Sequence, residues 1–171
     1  MRELCRADRR SPVFYASLKA VHLLGIVVWI GGMFFMLACL RPAAAEVLEP
    51  PARVRLVHAV LRRFFNAVTL AALVALLSGA AMLGLAWRER SSAGLAFNMP
   101  LDWYAMIGLF FVMLAVFAHV RLTLFRRVER ALADQAWPVA AAALGAIRWE
   151  VTINLVIGVF IVVLVRLGGA A

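Results

Sequence analysis

The stretch Lys19–Ala43, KAVHLLGIVVWIGGMFFMLACLRPA, decides the fold class. Between Lys19 and Arg41 lie 21 residues whose only ionisable side chains are His22 and Cys39. A helix needs about 20 largely apolar residues to cross a bilayer, so this run spans one. Three similar runs follow, and the expected spans are 15–40, 64–87, 101–122 and 149–167. Of the 171 residues, 65% are hydrophobic, against roughly 45–50% apolar in soluble domains. The prediction is one all-α membrane domain over residues 1–171, a four-span transmembrane helix bundle. The basic start MRELCRADRR and the later Ala43-Ala44-Ala45 have the outline of a signal peptide. A signal-peptide core is only about 7–15 residues long, however, so the first run is expected to stay as a helix.

The net charge of +9 comes from 18 Lys+Arg against 9 Asp+Glu. The arginines flank the apolar runs, as in membrane proteins. No basic patch interleaved with aromatics is present, so nucleic acid is not an expected partner. The first connection carries Arg41, Arg53, Arg55, Arg62 and Arg63, and the third carries Arg121, Arg126, Arg127, Arg130 and Arg148. These ten outnumber the eight Lys+Arg of the opposite side. The positive-inside rule then puts both connections in the cytoplasm and both termini in the periplasm. Cys5 falls in a polar tail and Cys39 in a helix, and no disulfide between them is expected.

Pro42, in the first connection, is expected to stop the first helix. ARVRLVHAVLRR reads as an amphipathic lead into the second span, with Leu56, Val57, Val60 and Leu61 on one face and His58 solvated at the interface. RERSSAGLAFNMP reads as a loop. The third connection extends helix three into water, breaks before Pro138 and starts a short alanine-rich helix.

At about 100° per residue, His22, Trp29, Met33 and Met36 fall within about 60° of one another. Gly25 and Gly32 lie beside this stripe, where they let a neighbouring helix approach. The stripe is expected to face protein. His22 carries a functional reading, since ionisable residues inside a membrane serve function by default. Met33 and Met36 fit ordinary packing better, because methionine fills irregular cores. In helix three, Ala105, Gly108, Val112, Ala115 and Val116 lie on the His119 side. His119 is therefore expected to end a small-residue groove, with Phe110 and Phe117 facing lipid. Met106 and Met113 point away from it. Helix two offers Ala71, Ala75, Ser78, Gly79 and Met82 on one face, and helix four a line of Glu150, Asn154 and Gly158.

At 1.5 Å per residue, His22 and His119 are expected roughly 15–20 Å apart along the membrane normal. That implies two stacked sites, with Met82 level with His22 and Met33 level with His119. Imidazole and thioether suit copper, and the same side chains serve as axial haem ligands. No HExxH, phosphate loop or Ser/His/Asp set is present, so hydrolytic activity has no support.

The first run closely resembles the opening helix of the copper-resistance D (CopD) family in its K-A-x-H, the Trp seven residues after His22, G-G-M-F-F and the closing R-P. RRFFNAVTLAALVALLSGAAML, FAHVRLTLFRRV and AAAALGAIRWEVTINLVIGVFIVVL are similar to its later helices. The resemblance implies an inner-membrane protein that moves copper across the membrane. The related membrane-type protoporphyrinogen oxidase (HemJ) shares a similar first-helix K-A-x-H and a third-helix histidine, at positions matching His22 and His119. This kinship implies haem b as the alternative ligand, with electron transfer or oxidase activity. Leu40-Arg41-Pro42 stands where that oxidase has a histidine-bearing segment, and Trp103-Tyr104 where it has a lysine. Both departures count against oxidase activity. Larger CopD proteins have more helices or a periplasmic copper-binding domain, so the resemblance implies a homodimer or a periplasmic partner.

The leading expectation is therefore a copper-handling membrane protein without enzyme activity, with His22, His119, Met33 and Met36 as metal ligands. Haem b held by His22 and His119 is the second reading, and a structural subunit whose histidines only pack is the third.

Overall fold

The structure, a computed structural model, describes residues 2–96 and 98–168, with side chains from residue 13 onward. The side chain of Cys5, and with it the question of a disulfide, lies outside the described residues. Every regular element among them is helical. Four helical stretches are long and apolar enough to cross a membrane: Val13–Val47, Pro50–Ser92, Leu101–Ala133 and Trp137–Gly168. The expected all-α, four-span membrane fold is observed, with each expected span inside a longer helix.

Helix α1 covers Arg2–Phe35, and a π-helical turn over Met36–Leu40 joins it to α2, Arg41–Val47. Pro42 therefore does not end the first helix. Proline lacks an N–H, but the turn before it is already widened: the Arg41 N–H reaches back five residues to the Met36 carbonyl. A π turn re-routes the hydrogen-bond ladder just where the ring would break it. Helix α3 is Pro50–Ser92, so the amphipathic lead forms the first turns of one long helix. Its buried line is Val54, Val57, Leu61, Phe65 and Val68, while Leu56 is exposed.

Helix α4 is Leu101–His119, and a second π turn, Val120–Leu124, leads into α5, Phe125–Ala133. The chain breaks at residues 134–136, where Gln135 takes a left-handed φ of 53°. Helix α6 then runs Trp137–Gly168, with Pro138 in its first turn. The alanine-rich segment is thus not a short helix of its own. Alanine is the best helix former, so nothing interrupts the ladder between Val139 and the fourth span.

The chain divides into two compact units. The first, Met1–Trp29 with Ala67–Asn98, pairs the front of α1 with the second half of α3. A Cβ on Gly25 would lie 3.0 Å from the Ala71 carbonyl oxygen and 3.7 Å from the Ala75 Cβ. The glycine therefore lets two backbones touch, as small residues do in membrane helix pairs.

The second unit is Ile30–Asn66 with Met99–Ala171. Phe65 is its hub: its ring meets Phe117 edge-on at 5.8 Å and Phe125 at 5.1 Å. Gly158 of α6 gives room to Ile30 and Met113, and Gly32 to the Phe64 ring. Arg55 lies over the Trp137 ring at 5.0 Å.

The phase of α4 is opposite to the expected one. Phe117 is only 9% exposed, and Met113 and Val120 are buried with it. Gly108, Ala115 and His119 are exposed instead. Edge-to-face packing on Phe65 selects the aromatic side of the helix. Phe110, half-buried, meets the Phe111 ring at 5.8 Å.

Candidate functional site

In the first unit, His22 is half-buried on α1 and faces the small-residue side of α3. Its Nδ1 lies 2.9 Å from the Ala75 carbonyl oxygen and 3.1 Å from Ser78 Oγ. The Ser78 hydroxyl donates to the Val74 carbonyl of its own helix. Both groups beside Nδ1 are therefore acceptors, so Nδ1 carries the hydrogen. In the neutral imidazole that leaves the Nε2 lone pair free. Ligating histidines are commonly fixed this way, by a hydrogen bond from the other ring nitrogen to a carbonyl. A Cβ on Gly79 would stand 3.3 Å from the His22 ring, so the glycine leaves the ring its place. The expected face of Ala71, Ala75, Ser78 and Gly79 is the one that receives His22. Trp29, on the same side of α1, is buried.

In the second unit, two antiparallel contacts set the register of α1 and α2 against α6. Ile30 lies against Gly158, and Arg41 Nη2 donates to the Leu144 carbonyl at 2.9 Å. Met113 reaches the same Gly158 from α4. His119 Nδ1 then stands 3.7 Å from Glu150 Oε1. This separation is longer than a hydrogen bond and allows a loose ion pair when the ring is protonated. Glu150, on the expected polar line of the fourth span, thus meets His119.

Met33 and Met36 are 1% and 4% exposed, inside the core of this unit. By the rise of about 1.5 Å per residue, the turn carrying Met36 is nearer the level of His119 and Glu150, while Met33 is nearer Asn154. The expected Met33–His119 level is thus off by about one turn. Asn154 is buried, and its Oδ1 has no hydrogen-bond partner among the described residues. Met113, set aside on sequence grounds, belongs to this thioether-lined core.

His58 is not the solvated residue expected. Its ring stacks on Phe125 at 5.0 Å, with Nε2 3.9 Å from Glu129 Oε1. The other expected features divide between the units: His22 falls in the first, and His119, Met33 and Met36 in the second. Among the described residues, no three His, Cys, Asp or Glu side chains gather into a metal cage.

Four membrane-length helices, with histidines on the first and third, define a polytopic integral membrane protein. The chain belongs to the copper resistance protein D (CopD) family, which it matches over residues 58–167. That match contains His119, Glu150 and Asn154 and begins beyond His22, Met33 and Met36. The first-helix motif that suggested the family therefore lies outside the matched stretch. No curated protein and no solved structure matches the chain.

Proposed function

We propose that the protein carries copper across the bacterial inner membrane, with copper as its cargo. The observation that carries this reading is the clasp on His22. A histidine fixed through Nδ1 presents Nε2 as a ligand, and imidazole is a good ligand for copper. His119 is the second ligand in this reading. Met33 and Met36 supply thioethers, which favour the cuprous ion. Membership of the copper resistance protein D family supports the cargo. Two separate copper stations, one per unit, are part of the proposal. A second copy of the chain, or a periplasmic copper-binding partner, completes the path. The periplasmic placement of both termini rests on the distribution of arginines.

The test is copper bound per folded molecule in detergent, with the visible absorption spectrum recorded alongside. His22→Asn keeps a hydrogen-bonding side chain but is a far poorer ligand. It should leave expression and helicity intact and lower bound copper. His119→Asn should do the same, and each single variant should keep part of the metal. Equal copper in wild type and both variants would overturn the ligand assignment. A Soret band with reduced α and β bands would replace copper with haem b.

A further inference from the structure

The end of the first membrane helix borders a cleft of about 530 Å³ in the second unit. Its walls combine Leu37, Val57 and Leu144 with Arg41, Arg53 and Arg148. No carboxylate lines it. Arg41 is held in place by the bond from its Nη2 to the Leu144 carbonyl, 2.9 Å long. Arg148 is close enough to repel it. Neither arginine has an ion pair among the described residues. The arginines beside Phe65 are served differently: Arg121 donates to Asn66 Oδ1 at 3.1 Å, and Glu129 lines their smaller cleft.

Bringing like charges together beside apolar walls is unfavourable unless an anion joins them. A guanidinium pairs with phosphate through two parallel N–H···O bonds, so several of them suit a phosphate group rather than a single small halide. The volume lies in the range of about 300–1,000 Å³ typical of ligand sites.

We propose that this cleft binds a phosphate group through Arg41, Arg53 and Arg148. The phosphodiester of an acidic phospholipid and free inorganic phosphate share the chemistry required. The site is independent of the copper stations, because none of its residues is assigned to them.

The full-length protein in neutral detergent tests this in two arms. Native mass spectrometry would compare retention of phosphatidylglycerol and phosphatidylethanolamine. Thermal denaturation would compare inorganic phosphate with chloride at equal ionic strength. Preferential retention of phosphatidylglycerol identifies a lipid headgroup, and a higher melting temperature in phosphate identifies the free anion. Either supports the site. Arg148→Gln, at an exposed side chain, and the double variant R53Q/R148Q should reduce the effect by about tenfold or more while leaving bound copper unchanged. Arg148→Lys should restore only part of it, since an ammonium lacks the planar fork. R62Q/R126Q, in the other cleft, should change nothing. No preference in either arm would overturn the proposal. So would an effect that survives R53Q/R148Q or disappears in R62Q/R126Q.

Discussion

The Nδ1 of His22 and the carbonyl oxygen of Ala75 lie 2.9 Å apart, and this contact decides which imidazole nitrogen is free. A carbonyl can only accept, and the neighbouring Ser78 oxygen has already given its hydrogen to the Val74 carbonyl. The ring is therefore held in one tautomer by one helix turn of α3. Two groups share the task, and their removal should have different effects.

Ser78→Ala leaves the backbone acceptor in place and removes only the second oxygen. Copper affinity should fall by about tenfold, the lower end of the range for loss of a supporting hydrogen bond. His22→Asn should cost more. Competition against a copper chelator measures both. Equal losses would mean that Ser78, not Ala75, holds the ring.

Gly25 and Gly31 separate close approach from helix propensity. A Cβ on Gly25 meets the Ala71 carbonyl at 3.0 Å, whereas one on Gly31 meets nothing within 4 Å. Gly25→Val should destabilise the α1–α3 pair by about 1–3 kcal/mol, as overpacking does. Gly31→Ala should be neutral or slightly stabilising. Thermal unfolding in detergent checks both.

Phe117→Ala should destabilise the second unit. Such truncations cost about 3–5 kcal/mol in soluble cores. The loss here should lie toward the lower end, because lipid solvates apolar groups and only packing is lost. Ala115→Phe, on the exposed side of α4, should be tolerated. The opposite ranking of melting temperatures would restore the phase expected from sequence.

Asn154→Leu replaces a buried, unpartnered oxygen with an apolar group of similar size. Stability in the absence of metal should rise by about 1–3 kcal/mol. A fall instead would mean that a water or an ion occupies the Asn154 oxygen in the working protein.

A reporter fused after Ala171 should report a periplasmic C-terminus, as the Arg-rich first and third connections require. Cytoplasmic activity would reverse the orientation and exchange the compartments that the two histidines serve.

The four spans were legible, and so were the small-residue faces of α1 and α3, though not that these two faces meet. Gly25 on one helix, and Ala71, Ala75 and Gly79 on the other, are small residues at helical spacing. The face of α4 was not legible. Gly108, Val112 and Ala115 make the same small-residue signal, yet Phe117 is the side that packs. Its partner Phe65 sits on another helix, and a pairwise ring fit leaves no trace in the periodicity of either segment. The pairing of Glu150 with His119 was hidden for a related reason: His119 comes from the end of α4, and hydropathy says nothing about register between helices. The helix continuing through Pro42 was hidden as well, because a widened turn has the same composition as an ordinary one.

The π turns at Met36–Leu40 and Val120–Leu124 have one further consequence. Each holds one residue more than an ordinary turn of the ladder, so each behaves like an insertion absorbed without a loop. Removing one residue from Met36–Leu40 would take away the widened turn that accommodates Pro42 and set its ring against an ordinary α ladder. Arg41 would then swing around the helix axis relative to Met33. The spare residue therefore both carries the helix past Pro42 and fixes the angle between thioether and guanidinium.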